Sequence, residues 1–329
     1  MRAAIIYNPV KVELDALTNA VAEAEKRHGW DASLWIETTE EDPGAGQAGE
    51  AIETSADVVI AAGGDGTVRA VGEGLRGSGI PLALLPSGTG NLLARNLELQ
   101  LDDLETGLET AFSGTDKPID VGIIDLRRPD SSVDRRAFAV MAGLGIDAQM
   151  IENSDDALKK RAGWLAYVTS IAKSLRDGNE LHVRYRLNSG APHRATVHTF
   201  IVGNCGSLPA NMVLMPDAKI DDGLLDIVML RPEGALGWLR IWLRVAWENG
   251  ILRRTRTGRR LLGETKPIRP LRYETSESLD ATFGRPEKIE LDGDAFGEVT
   301  AIRVSLERGG LLVRIPREQP AAGSEVNAG

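Results

Sequence analysis

Three glycines in four residues, Gly63, Gly64 and Gly66, enclose a single carboxylate, Asp65, and lead into Thr67. The run before them, Val58-Val59-Ile60-Ala61-Ala62, is apolar and of strand length, and Val68–Leu75 after them reads as a helix. That order puts unpaired backbone N–H groups at the positive end of a helix dipole, on chain without Cβ atoms to keep an anion away. The chemistry this allows is phosphate binding. Asp65 would be repelled by phosphates unless a cation stood between them, which points to Mg²⁺. The plainer alternative is a tight strand-to-helix turn capped by Asp65.

A second glycine turn, Pro86-Ser87-Gly88-Thr89-Gly90-Asn91, follows the next apolar run. Ser87, Thr89 and Asn91 offer hydroxyl and amide groups for ribose, adenine or phosphate oxygens. Two such loops side by side strengthen the nucleotide reading. No G-x-x-x-x-G-K-[ST] occurs, which excludes a Walker-type site. Gly72-Glu73-Gly74-Leu75-Arg76-Gly77 satisfies G-x-G-x-x-G, but it sits at a helix end instead of after a strand, so it is a decoy.

The elements that must hold these loops are legible as alternation. Ala3–Tyr7, Ala32–Ile36, Val58–Ala61, Leu82–Leu84 and Val121–Asp125 read as strands; Val12–Lys26, Gln47–Thr54, Thr67–Arg76 and Asn91–Ala111 read as helices. Such alternation predicts a parallel sheet flanked by helices, with ligands at the carboxyl ends of the strands. After the polar turn Arg127–Ser132 strands dominate, from Phe138–Ala142 to Leu311–Ile315, and predict an antiparallel sandwich. Helices are expected around Trp164–Leu175 and Leu236–Asn249. The expected organisation is an α/β domain over residues 1–127, a β-sandwich over 128–317 and a disordered tail over 318–329.

The bulk numbers limit the function classes. A chain of 329 residues is long enough for two domains. A net charge of −10 argues against a general nucleic-acid binder. Cys205 is the only cysteine, so no intrachain disulfide forms and a reducing, cytoplasmic setting is expected. The N-terminus lacks the apolar run of a signal peptide, and no run approaches the length of a bilayer span. The four histidines are scattered and suggest no metal set.

The loop GGDGT, followed by PSGTGNLLARNL, resembles the catalytic domain of diacylglycerol kinases, sphingosine kinases and their bacterial relatives. The likeness continues through Asp120-Val121-Gly122, Ala142–Ala148, Pro216–Asp226 and Leu291-Asp292-Gly293-Asp294, in the family's order. The resemblance implies a phosphofructokinase- or NAD-kinase-like nucleotide domain and a β-sandwich presenting the acceptor. It implies ATP and Mg²⁺ as cofactors and a lipid as acceptor. It carries the general base to Asp292, and the Mg²⁺ network to Asp65, Asp120 and Asp294. Nucleotide contacts fall on Asn8, Gly63, Gly64, Asp65, Gly66, Thr67, Ser87, Gly88, Thr89 and Asn91. A structural Mg²⁺ site falls on Lys219, Asp222 and Leu224. The sequence departs from the family at Leu92, where some members carry an aspartate, and at Asp294, where glutamate is usual. It departs again after Asn8-Pro9, where Val10-Lys11-Val12 replaces the usual Ser-Gly and Lys11 could supply a charge. On a reading from residue type alone, Asp292-Gly293-Asp294 is a hairpin turn.

One further segment suggests a partner. Trp238, Ile241, Trp242 and Val245 share a helical face, and from Trp238 to Arg272 there are ten basic and two acidic residues. A Trp-rich amphipathic helix beside the arginines through Arg260 suits peripheral contact with an anionic membrane surface. A helix packed on the sandwich is the alternative. Two competing functions stand beside the lipid kinase: an NAD kinase, and a non-catalytic lipid or nucleotide sensor. The acceptor's identity and the oligomeric state are not readable.

Overall fold

A computed structural model describes residues 1–88, 90–101, 103–145, 180–208, 212–231 and 271–317. Its first third alternates as β1 (Arg2–Tyr7), α1 (Leu14–His28), β2 (Asp31–Glu37), α2 (Ala45–Glu53), β3 (Val58–Gly63), α3 (Asp65–Leu75), β4 (Leu82–Pro86), α4 (Leu92–Asn96) and α5 (Leu104–Ser113). The four strands lie parallel in the order β4-β3-β1-β2. Their uninterrupted apolar runs follow from burial on both faces. Ala3, Ile5 and Tyr7 of β1 share a core with Leu17 and Val21 of α1 and Phe112 of α5. Ala4 and Ile6, one residue out of step, share the opposite core with Ala51 of α2 and Val71 of α3.

The single helix expected over Asn91–Ala111 is two helices. Glu98 takes a left-handed conformation (φ 57°), and Asp103 then caps a fresh helix by accepting the Thr106 N–H at 3.1 Å. The G-x-G-x-x-G decoy lies at the end of α3, in which Arg76 is the C-cap.

The described residues after α5 are strand-rich. They run through β5 (Thr115–Arg127), β6 (Val133–Phe138), β7 (Met141–Leu144), β8 (Leu181–Leu187), β9 (His193–Val197), β10 (Thr199–Gly203), β11 (Ser207–Leu208), β12 (Met212–Val213), β13 (Leu225–Leu230), β14 (Leu271–Ser276), β15 (Ser278–Leu291) and β16 (Asp294–Ile315). Pairing among them is antiparallel, and Phe138, Leu144, Tyr185, Phe200 and Val304 fill the core between the layers. The expected plan of an α/β nucleotide domain plus a β-sandwich is the observed one. The helices expected at Trp164–Leu175 and Leu236–Asn249, and the tail 318–329, lie outside the described residues. Among the described residues no helix is long and apolar enough to cross a membrane.

Two strands, β5 before the texture change at 127–128 and β16 after it, join the two parts of the chain. β5 pairs with β16 along most of its length, and the end of β16 returns to the α/β sheet, where Val313 pairs in parallel with Leu82 of β4. Arg314 fastens it there, donating to Asp116 at 2.7 Å and to the Ala111 carbonyl at 3.1 Å. To do so β16 must curl. A Cβ on Gly66 would lie 3.0 Å from Asp294, at the start of the strand, and one on Gly72 would lie 3.3 Å from Leu311, near its end. Those glycines are about 9 Å apart along α3, whereas seventeen extended residues would cover about 56 Å. A register shift between Glu307 and Leu311, with Gly309 at φ 59°, marks one place where the strand bends.

Gly122 of β5 sits opposite Phe138 of β6, and a Cβ there would run into the buried phenyl ring. Gly122→Ala is therefore expected to cost about 1–3 kcal/mol through overpacking, read as a fall in Tm.

Candidate active site

The two glycine loops touch. β3 ends at Gly63 and α3 begins with Gly64 as its N-cap, which has no side chain to cap the helix. The Ser87 N–H donates to the Gly63 carbonyl at 2.9 Å, and a Cβ on Gly88 would stand 3.1 Å from the Gly64 Cα. Asp65 ties the loops together. Its carboxylate accepts the N–H groups of Asn91 at 2.8 Å and Leu92 at 2.5 Å, capping α4, and it lies so close to Gly90 that no Cβ would fit. Burial raises the Asp65 pKa, the Leu92 and Asn91 N–H groups oppose the rise, and the negative charge of Asp294 adds to it. Asn91 itself is left-handed (φ 49°), with its amide bridging back to Gly88. Thr67 is buried against Gly63. Thr89 lies outside the described residues.

β1 ends at the same edge. The Asn8 N–H donates to the Ala62 carbonyl at 3.0 Å, and its side chain accepts the Val10 N–H, forming a local turn that lifts Lys11. Beside this turn is a cavity of about 380 Å³ lined by Lys11, Val12, Leu85, Pro86, Ser87 and Leu101, among others. Apolar walls with the charged groups of Lys11, Glu13 and Asp103 and the Ser87 hydroxyl at the rim could take a flat heterocycle with its polar edge.

Asp292 and Gly293 form the two-residue turn between β15 and β16, both at positive φ (50° and 93°), so Leu291 pairs directly with Asp294. The Asp292 carboxylate is 4% exposed and accepts three backbone N–H groups, from Ala139 (2.8 Å), Val140 (2.9 Å) and Met141 (2.8 Å). Burial pushes its pKa up to about 6 against the pull of those N–H groups and of Arg69. Asp294 instead faces the phosphate loop beside Gly66. Its Oδ2 accepts from Arg69 Nε at 3.1 Å, and no partner meets Oδ1 among the described residues.

Arg69 was invisible to sequence reasoning. Arg69 and Glu73 look like an ordinary exposed i, i+4 pair on α3, yet both are drawn into the cleft. The guanidinium is buried, reaches Glu73 at 3.2 Å and lies 4.6 Å over the Phe296 ring. Glu73 in turn accepts the Ala137 N–H at 3.1 Å. Only the long-range pairing of β16 with the first domain brings these groups together.

Asp120 is held by backbone donors. It accepts the N–H groups of Gly223 (2.7 Å) and Gly309 (2.8 Å), so it pins the 219–224 turn to the bend in β16. In that turn Asp222 accepts the Leu224 N–H at 3.0 Å, and Lys219 is exposed. Nearby Asp226 has a pKa raised to about 6 by burial, then by the charges of Asp222 and Asp217.

Glycine loops at the carboxyl edge of a parallel sheet, faced by an acid-bearing turn of a β-sandwich, define a two-domain nucleotide-dependent kinase architecture. The Diacylglycerol kinase catalytic domain family matches residues 2–124, and the YegS C-terminal NAD kinase beta sandwich-like domain matches residues 140–247. A diacylglycerol kinase of Bacillus subtilis (strain 168) is 29% identical over 330 residues, covering 97% of both chains. A Pseudomonas aeruginosa (strain UCBPP-PA14) protein named "Probable lipid kinase YegS-like" is 31% identical over 277 residues, covering 82% of this chain and 80% of its own. The crystal structure of a diacylglycerol kinase from Bacillus anthracis str. Sterne shares the fold with a TM-score of 0.66 at 17% identity, covering 98% of each chain. The chain belongs to the diacylglycerol kinase superfamily, alongside the YegS-like lipid kinases.

A methyl group at Gly66 would occupy the space between the loop and Asp294. Gly66→Ala is expected to weaken ATP binding at least about tenfold, roughly 1.4 kcal/mol, while Tm changes little because the Asp294 side chain can give way. Titration calorimetry and a thermal melt read the two separately.

Proposed function

We propose that the protein is a Mg²⁺-dependent lipid kinase that transfers the γ-phosphate of ATP to a lipid hydroxyl. The observation that carries the reading is the approach of Asp294, on the sandwich side, to Gly66 in the phosphate loop. A carboxylate from one domain thereby faces the anion site of the other, next to a cavity sized for a nucleoside.

The residues fit Mg²⁺. Asp65 would supply hard oxygen donors, and the charge of nearby Asp294, which helps raise its pKa, is a repulsion that a cation would relieve. Among the described residues no three acidic, histidine or cysteine side chains are placed so that they could hold a metal ion by themselves. That suits an ion that takes most of its ligands from phosphates and water. When bound, the ion neutralises charge on the β- and γ-phosphates. The turn at Lys219, Asp222 and Leu224 is a second candidate, where the crowding of Asp217, Asp222 and Asp226 gives a cation something to offset.

For the general base, the geometry favours Asp294 over Asp292. A base must offer an oxygen to the incoming hydroxyl. Asp292 has three acceptor positions filled by backbone and holds the turn, whereas Asp294 lies beside Gly66 with Oδ1 unpartnered among the described residues. The acceptor hydroxyl gives its proton to Asp294 as its oxygen bonds to the γ-phosphorus and the bond to the ADP oxygen breaks. Arg69 fixes the other carboxylate oxygen. The first-turn N–H groups of α3 orient the phosphates.

An ATP-transfer assay against a total lipid extract, with mass spectrometry of the products, tests the reading. NAD⁺ is included as acceptor, because the matched sandwich family is NAD kinase-like. Phosphorylated lipid is expected; NADP⁺ alone would replace the proposal with an NAD kinase, and no product at all would favour a sensor. Asp294→Asn should lower kcat by about a hundredfold or more with ATP affinity nearly unchanged. Asp292→Asn should lower Tm by placing an amide N–H₂ against backbone donors. A well-folded Asp292→Asn without turnover, beside an active Asp294→Asn, would return the base to Asp292.

A further inference from the structure

The outer face of the sheet β6-β5-β16-β15-β8-β9 carries charge that the cleft does not use. Strand pairing aligns Arg135, Asp125, Arg303, Asp280 and Arg186 in one row across five strands, alternating in sign. Arg135 pairs with Asp125 and Arg303 with Asp280, each at 2.7 Å, which leaves Arg186 over at the end. Two residues along each strand, on the same face, the next row is Val133, Arg127, Ala301, Thr282, Arg184 and Arg194. This row has no acid. Its small central residues leave a trough with arginines at both ends.

Two cavities of about 520 and 490 Å³ follow this face and share Arg184 and Thr282 as lining. Six arginines line them together, the sixth being Arg231, against only Asp125 and Asp280. The lining therefore carries four net positive charges on a chain whose net charge is −10. Among the described residues Arg127, Arg184, Arg186, Arg194 and Arg231 pair with no acid, and all five are exposed.

We infer that this trough is a docking surface for the phosphate headgroups of an anionic lipid bilayer. The inference takes its partner from the lipid-acceptor reading above. Charge complementarity is the first argument: a net-acidic protein is repelled by an anionic surface and needs a local face of opposite sign to approach it. Spacing is the second. Arg127 and Arg184 stand three strand spacings apart, about 14 Å, so the face presents separate cations to an array of anions. A pocket for one free phosphate would instead converge them. The rigid sheet fixes that array, and the two acid-paired arginines keep the remaining ones spread. No residue of this surface belongs to the Trp238–Arg260 segment, which lies outside the described residues.

The test is co-sedimentation of the full chain with vesicles of phosphatidylcholine and phosphatidylglycerol in equal parts, against phosphatidylcholine alone. Arg184 and Arg194 face each other across β8 and β9, so the Arg184→Glu/Arg194→Glu variant exchanges one like-charged pair for another, and a thermal melt checks its fold. We expect binding to the mixed vesicles only, weakened at least about tenfold by the double variant. Binding should also be lost between about 0.1 and 1 M salt, as the Debye length falls from ~10 to ~3 Å. An Arg253→Glu/Arg254→Glu/Arg256→Glu variant runs in parallel. Binding that survives Arg184→Glu/Arg194→Glu, or that is lost only in the triple variant, overturns the inference. So does competition by millimolar inorganic phosphate at constant ionic strength, which would mark a small-anion site. So too does the absence of binding to the mixed vesicles. Sedimentation needs no turnover: a chain that phosphorylates NAD⁺ but no lipid, yet binds vesicles through this face, would sink the acceptor reading and leave the surface standing. ATP transfer to diacylglycerol in neutral detergent micelles should be unchanged in Arg184→Glu/Arg194→Glu.

Discussion

The cleft depends on β16 curling back, so that Asp294 at its start and Leu311 near its end both meet helix α3. Nothing local brings Asp294 to Gly66, more than two hundred residues earlier in the chain. The strand does so because it pairs with β15 at one end, with β5 through most of its length and with β4 at the other. The bend is held from inside by Asp120, whose carboxylate binds the Gly309 N–H there and the Gly223 N–H of a facing turn. A carboxylate that resembles a metal ligand in sequence thus works as a brace for the strand that carries another carboxylate.

The same economy recurs across the site. Asp65 caps α4 while facing the phosphate loop, and Asp292 gathers three N–H groups so that its neighbour can reach outward. Buried carboxylates that receive backbone N–H groups hold loops in fixed positions, which a transfer reaction needs from its anion-binding groups. The division is visible in exposure. Asp292 and Asp120 are each 4% exposed, while the Asp294 side chain is 40% exposed.

Much of this was legible in the residues. The glycine loops, the alternation of the first domain and the strand-rich second half follow from local pattern, because each is set by short-range periodicity and turn chemistry. The break between α4 and α5 was not, since one left-handed residue at Glu98 ends a helix whose apolar spacing continues. The first part of β15 carries no apolar strand run, because it alternates charge with small residues: Asp280, Ala281, Thr282. Arg69 and Glu73 carried no signal, because their burial is imposed by a partner strand distant in sequence. Position along the chain gave Asp292 and Asp294 as a pair, but which one faces the loop depends on a turn whose two positive φ values fix side-chain direction.

The return of residues 311–315 to the first sheet has a consequence for how the chain comes off the ribosome. An α/β unit that ended near residue 113 could close its sheet as soon as it was synthesised. Here Leu82 of β4 waits for Val313, some 230 residues later. Until then one border of the parallel sheet exposes unsatisfied backbone groups, a surface prone to pairing with other chains. Arg314 then closes the sheet through Asp116 and the Ala111 carbonyl. The sheet edge at Leu82 and the approach of Asp294 to Gly66 both rest on one late strand: the protein acquires that edge and the acid that faces its loops together.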